Sequence, residues 1–176
     1  CEGLVGSEMC IRDRDYRDET GVYDGVASIE MFEAVGEKYW PVYFDKIKQC
    51  LKPGKQATLQ IITIQDARWE VYRKSVDFIQ KYIFPGGMLP SPSVLRKEVH
   101  RAGLSVQHSI EFGKSYSQTL RRWFEVFNNK WDNISAMGFD DRFRRMWNFY
   151  LTSCAATFES GNCDVTQITL QKPDNN

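Results

Sequence analysis

The sequence predicts an α/β fold: the carboxyl-terminal half of a doubly wound sheet, with a helical insertion before the last strand. First, a buried-type strand, Val22 to Ile29, leads through a helix into a second, β-branched strand, Ala57 to Ile64. Short strand, helix, strand connections imply a right-handed crossover and a parallel sheet. Second, Leu104 to Phe112 and Cys163 to Gln171 read as two further strands, and two long aromatic helices lie between them. Third, 176 residues with 42% apolar and 14% aromatic side chains allow one domain and exclude a disordered chain. Strands that would flank Val22 to Ile29 are missing, so the sheet is expected to be poorly buried by this chain alone.

Residues 1–14 show neither strand alternation nor a helical stripe. There is no initiating Met, and Gly6 to Arg14 resembles translated adapter read-through of the kind found in metagenomic assemblies. A non-native or disordered leader is expected there, with an ordinary frayed terminus as the alternative. Residues 15–172 are then expected to form one partial domain and 173–176 a tail. The helix Glu37 to Leu51 follows from Trp40, Phe44, Ile47 and Leu51, spaced by four, three and four. Lys52-Pro53-Gly54 is expected to stop it, because Pro cannot continue the hydrogen-bond ladder and Gly tolerates positive φ. Arg68 to Ile83 is predicted helical, followed by the apolar turn Phe84 to Ser91 and a helix opened by Ser91 or Ser93 that closes near Gly103. The insertion comprises Ser115 to Met137 and Asp140 to Glu159, with Asp140 placed to cap the second helix. Aromatic stripes this wide either pack the core or roof an apolar cavity, and core packing is the commoner role for any single residue.

Composition narrows the function. Lys and Arg total 23, as do Asp and Glu, so no net field draws the chain toward nucleic acid or an acidic membrane. Five scattered cysteines and two histidines point to reduced thiols, a cytoplasmic setting and no zinc site. No apolar run approaches the roughly 18 residues of a membrane span, and no secretory signal is present, so a soluble or peripheral protein is expected. The run Ser28-Ile-Glu-Met-Phe-Glu-Ala-Val-Gly36 puts Glu30 and Glu33 where a strand turns into a helix, which is where open α/β sheets bind ligands. One of the two is expected to do chemistry. Taken alone, either acid is also explained by the helix macrodipole.

That run, together with Lys81-Tyr-Ile-Phe-Pro-Gly-Gly-Met-Leu-Pro-Ser91, Phe112-Gly113 with Tyr116, and Arg142-Phe-x-Arg-Met-Trp147 followed by Tyr150-Leu and Cys154, resembles the cyclopropane-fatty-acyl-phospholipid synthase and mycolic acid cyclopropane synthase family. These are S-adenosylmethionine-dependent methyltransferases acting on lipid double bonds, and the resemblance runs from Asp15 to Lys172. It implies a Rossmann-like, class I methyltransferase fold, with S-adenosylmethionine and bicarbonate as cofactors. It also implies unsaturated phospholipid acyl chains at a membrane surface as substrate, and leaves room for a homo-oligomer of the full-length protein.

In such an enzyme, methyl transfer to an alkene leaves a carbocation, and a base must remove a proton before the ring closes. The resemblance gives that role to bicarbonate, held by Glu33 and Tyr116, with a backbone contact at Ile62. Gln60 stands where a histidine is common; its amide donates a hydrogen bond but cannot take up or release a proton at neutral pH. A cyclopropane, or a methylene or methyl branch after reduction, is then open. Asp15, Tyr16, Ser28 and Ile29 are the implied cofactor contacts, and Phe84, Gly86, Gly87 and Met88 the implied substrate-lining loop, unless that loop is a plain turn. Glu30 receives no role. With the glycine-rich turn and the ribose-binding acid not found, the chain alone is expected to bind cofactor weakly and to be inactive. A methyltransferase for another lipid or small acceptor, and a non-catalytic acyl-chain-binding module, remain alternatives. Lys81, Arg121 and Arg122 suit either head groups or a solvated face; Cys154 is expected to be packed, and His100 and His108 structural or exposed.

Overall fold

The computed structural model describes residues 13–174, so most of the expected leader lies outside the described residues. Tyr23–Ile29 (β1), Leu51–Ile64 (β2), Ser105–Glu111 (β3) and Cys163–Gln171 (β4) form one sheet in the order β1-β2-β4-β3. The α/β class and the insertion before the last strand are as expected. β1 and β2 are parallel, as the crossover requires, whereas β4 is antiparallel to both β2 and β3. The reason is the insertion, Gly113–Asn129 (α6), Trp131–Ala136 (α7) and Asp141–Glu159 (α8). α6 leads away from the carboxyl end of β3 and α8 packs back along it, so the chain re-enters the sheet at the end it left. The amide of Gly113 accordingly donates to Asp164 Oδ1 at 2.7 Å, and that of Phe112 to the Val165 carbonyl at 3.0 Å.

Three boundaries differ from expectation. A one-turn helix, Phe32–Val35 (α1), precedes Trp40–Cys50 (α2), and β2 begins directly at Leu51. Lys52, Pro53 and Gly54 therefore lie within the strand, where Gly54 donates to the Lys172 carbonyl at 3.0 Å. The predicted helix from Arg68 is two, Asp66–Tyr72 (α3) and Phe78–Tyr82 (α4). Asp77 starts the second with a reciprocal capping box: it accepts from the Gln80 amide at 2.8 Å while Gln80 Oε1 accepts from the Asp77 amide at 3.0 Å. The helix predicted from Ser115 breaks at Lys130, whose φ of −104° and ψ of 11° leave the helical region.

Pro92–Arg101 (α5) is capped by Ser91, one of the two expected openers. Residues of β2 alternate between two cores. Ala57, Leu59 and Ile61 pack with Phe32, Trp40, Phe44, Leu95 and Val99 of α1, α2 and α5 on one face. Ile62 packs with Leu120, Leu151, Ala155 and Phe158 of α6 and α8 on the other. A fully buried side chain of this size stabilises a fold by about 1.5–3 kcal/mol. The outer strands are less covered: all seven residues of β3 and five of seven in β1 are exposed.

Candidate active site

The site forms where β1 ends. The Glu30 amide donates to the Gln60 carbonyl at 2.9 Å, extending the β1–β2 ladder by one residue. Glu30 then takes a φ of +50°, a left-handed backbone rarely adopted outside glycine, and the chain turns into α1. Phe32, 0% exposed, anchors that turn among the rings of Trp40, Tyr43 and Phe44 at centroid distances of 4.9, 5.0 and 5.3 Å.

Glu33 follows on the anchored turn. Beyond the end of β1, the Ile62 N–H has no strand partner, and a buried donor must find one. It donates to Glu33 Oε1 at 2.6 Å. Glu33 Oε2 is buried and has no hydrogen-bond partner among the described residues. Burial pushes the Glu33 carboxyl above the usual carboxylate range; the Ile62 N–H opposes the shift and the charge of Glu30 adds to it.

Glu30 is the hub of a second set of contacts. Its Oε1 accepts from Gln60 Nε2 at 2.7 Å and from the Tyr116 hydroxyl. Gln60 Oε1 in turn accepts from Gln167 Nε2 at 2.9 Å, directly across the β2–β4 register. The network thus ties the end of β1 to β2, β4 and α6. Burial pushes the Tyr116 phenol up, and hydrogen bonding to the Glu30 carboxylate pushes it further, so Tyr116 stays a neutral donor. Tyr150 is pushed up to about 12, chiefly by burial, with smaller contributions from Cys154 and Glu30.

The apolar loop closes over this turn. The Met88 amide donates to the Glu33 carbonyl at 2.9 Å, and the Gly87 amide to the Phe84 carbonyl at 3.0 Å. Gly86 sits at φ +80°, and a Cβ on Gly87 would lie 3.1 Å from the Phe84 carbonyl oxygen, so both glycines serve the turn. Phe84 is 57% exposed and meets Tyr150 edge-on at 6.2 Å. On the other side of β1, the Tyr43 hydroxyl donates to Ser28 Oγ at 2.7 Å, and Tyr16 lies edge-on to Tyr43 at 5.9 Å. Ile29 is 61% exposed beside them. Asp15 is exposed and paired with Arg17 at 2.6 Å, which holds its carboxyl down to about 2.

Of the residues expected to share one anion, Glu33 meets the Ile62 N–H, whereas Gln60 and Tyr116 meet Glu30 instead, and Met88 of the apolar loop bonds to the Glu33 backbone. Ser28, Ile29 and Tyr16 suit one side of an amphipathic sulfonium ligand: an apolar platform, an aromatic edge, and a hydroxyl whose own hydrogen is left to donate because its oxygen accepts from Tyr43. Bicarbonate fits less well. Gln60, Tyr116 and the Ile62 N–H, the donors expected to hold it, already serve Glu30 and Glu33. Gln167 escaped the sequence reading, Glu30 was singled out with Glu33 but left without a role, and Tyr150 entered only as part of a motif; the available signal for Gln167 was its place opposite Gln60 in a strand pairing that the sequence does not specify. Lys81, Arg121, Arg122, His100 and His108 are exposed. Cys154 is packed, and burial pushes its thiol up to about 12. No described helix is long and apolar enough to cross a membrane.

The profile of the mycolic acid cyclopropane synthetase family matches residues 5–168. The chain is 43% identical over 157 residues to tuberculostearic acid methyltransferase UfaA1 of Mycobacterium tuberculosis, covering 89% of this chain and 37% of that protein. It is 34% identical over 175 residues to the cyclopropane-fatty-acyl-phospholipid synthase of Escherichia coli K12, covering 98% and 43%. It thus spans less than half the length of these relatives. Among solved structures, mycolic acid cyclopropane synthase CmaA1 complexed with SAH and CTAB superposes with a TM-score of 0.81 at 25% identity, over 89% of this chain and 58% of that one. The sheet and its insertion are accordingly those of the class I methyltransferase fold.

Proposed function

The chain belongs to the mycolic acid cyclopropane synthetase family, and on that premise we propose that the whole protein transfers a methyl or methylene group from S-adenosylmethionine to the double bond of an unsaturated phospholipid acyl chain. The observation that carries the reading is the pair of carboxylates, Glu30 and Glu33, held by Gln60, Tyr116 and the Ile62 N–H at the carboxyl end of the sheet. When bound, the sulfonium cofactor supplies an electrophilic methyl group. Ser28, Ile29 and Tyr16 bind and orient it from the β1 side.

An alkene that accepts a methyl becomes a cation, and fixed negative charge in a water-poor site stabilises that cation without reorganisation. Glu33 supplies such a charge, and the Ile62 N–H keeps it in place. Phe84 and Tyr150 offer apolar surface to the acyl chain, and exposed Tyr82 and Phe149 extend that surface toward solvent. Tyr116, kept neutral, donates and does not compete as a base. Work at the cytoplasmic surface of a membrane completes the reading, because the acyl chains of the substrate reside in the bilayer.

A methylene branch as the product, which a separate reductase would convert to a methyl branch, is a second reading, supported by the higher identity to the protein named a methyltransferase than to the one named a cyclopropane synthase. The test is to incubate the whole protein with S-adenosylmethionine and vesicles of unsaturated phospholipid, then analyse the acyl chains by mass spectrometry. Gain of one CH2 per double bond is expected. Acyl chains of unchanged mass would sink the proposal.

A further inference from the structure

Three donors face the site, and each is taken by a carboxylate of the chain itself. Gln60 Nε2 and the Tyr116 hydroxyl converge on one oxygen, Glu30 Oε1, while the Ile62 N–H goes to Glu33 Oε1. A carboxylate and a bicarbonate present the same planar O–C–O group to such donors. A third anion entering here would find its donors occupied and two negative charges beside it.

The surroundings of Glu30 are built to hold that carboxylate. Gln167 Nε2 donates to Gln60 Oε1, which leaves the NH2 end of Gln60 to face Glu30. Glu30 itself holds a φ of +50°, a strained backbone for a residue with a Cβ, and such strain persists where the surrounding contacts over-determine it. Here the contacts are the backbone bond to the Gln60 carbonyl and the two side-chain bonds.

We infer that Glu30 is the resident base of this site: its carboxylate occupies the place of an exchangeable bicarbonate and takes the proton from the methylated acyl cation. The inference rests on the methyl-transfer reading above. In the first step a bond forms between the methyl carbon and one alkene carbon as the sulfur–methyl bond breaks, and positive charge passes from sulfur to the other alkene carbon. Glu30 then accepts a proton from the new methyl group, and the C–H electron pair closes the ring. If a hydride first shifts to the cationic carbon, the same proton loss leaves a methylene branch. In either case the carboxylate becomes a neutral acid, the substrate becomes neutral, and no oxidant or reductant is consumed. The proton leaves to water before the next turnover.

The test uses the whole protein as wild type, Glu30→Gln and Glu30→Gly, each in carbon-dioxide-depleted buffer with and without added bicarbonate. Wild-type turnover is expected to be indifferent to bicarbonate. Glu30→Gln keeps the shape but not the base, so turnover is expected to fall by about a hundredfold or more, without rescue by bicarbonate. Glu30→Gly suits the left-handed backbone and vacates the slot beside Gln60 and Tyr116, so its residual turnover is expected to rise when bicarbonate is added. Affinity for S-adenosylhomocysteine and the melting temperature, measured for each variant, separate loss of a base from loss of the fold. A wild type that works only with bicarbonate overturns the inference and leaves the methyl-transfer reading intact, as does a Glu30→Gln variant of normal turnover. A wild type that modifies no lipid under any condition removes the reading and the inference with it.

Discussion

Phe32 is the residue through which the fold positions the site, and truncating it links packing to activity. It is 0% exposed, stacks on Trp40 at 4.9 Å and meets Tyr43 and Phe44 at 5.0 and 5.3 Å. Phe32→Ala removes those ring contacts and leaves a cavity, a change that costs about 3–5 kcal/mol in a well-packed core. At about 2–4 °C per kcal/mol for a domain of this size, the melting temperature is expected to fall by roughly 6–20 °C. Glu33 is the next residue, so a loosened α1 also misplaces its carboxylate, and a displacement of about 1 Å costs on the order of a hundredfold in rate. Phe32→Leu retains most of the volume, and both effects should be small. Thermal unfolding followed by circular dichroism, with turnover measured well below the transition, reports the two together. Were Phe32→Ala to melt with the wild type, or to melt early yet turn over normally, the coupling between this core and the site would be refuted.

Glu33→Gln removes a charge but preserves the acceptor for the Ile62 N–H, so turnover should drop by about a hundredfold or more while S-adenosylhomocysteine affinity holds. Because burial raises the Glu33 pKa, the folded state binds that proton more tightly than the unfolded chain, whose value lies near about 4.3. Stability is therefore expected to decline as pH rises from that unfolded value through the folded one, and the decline should disappear in Glu33→Gln when urea midpoints are compared across pH. Asp140→Ala deletes the 2.8 Å bond to the Phe143 amide that caps α8 and should cost about 1 kcal/mol in urea unfolding. Gly86→Ala meets no atom within 4 Å but must hold a φ of +80°, so a loss of about 1–2 kcal/mol is expected from backbone strain alone; an unchanged urea midpoint would contradict that assignment.

Much of the fold was legible because its signals are local. The apolar spacing of Trp40, Phe44 and Ile47 marks α2, and β-branched residues mark β2. The boundaries missed were those decided by competing local contacts. Asp77 and Gln80 cap each other and begin a new helix inside an apparently continuous helical stretch. Pro53 and Gly54 read as a stop, yet they lie in β2, where Gly54 still finds the Lys172 carbonyl from beyond β4. The residues named from the sequence, Glu33, Gln60, Ile62 and Tyr116, do gather near the end of β1, around Glu30 and Glu33. The wiring of the site was not legible, because the donors expected to hold an outside anion are taken by Glu30 and Glu33.

By itself, the sequence determined the α/β class, the crossover from β1 to β2, the helical insertion and the turn that carries two acids, all of which follow from periodicity and turn chemistry over short stretches. Only the tertiary structure decided that β4 runs antiparallel between β2 and β3, and that Glu30 rather than Glu33 faces Gln60 and Tyr116. Both depend on residues separated by 30 to 111 positions. Which buried donor meets which carboxylate is a matter of three-dimensional proximity, and no spacing along the chain encodes it.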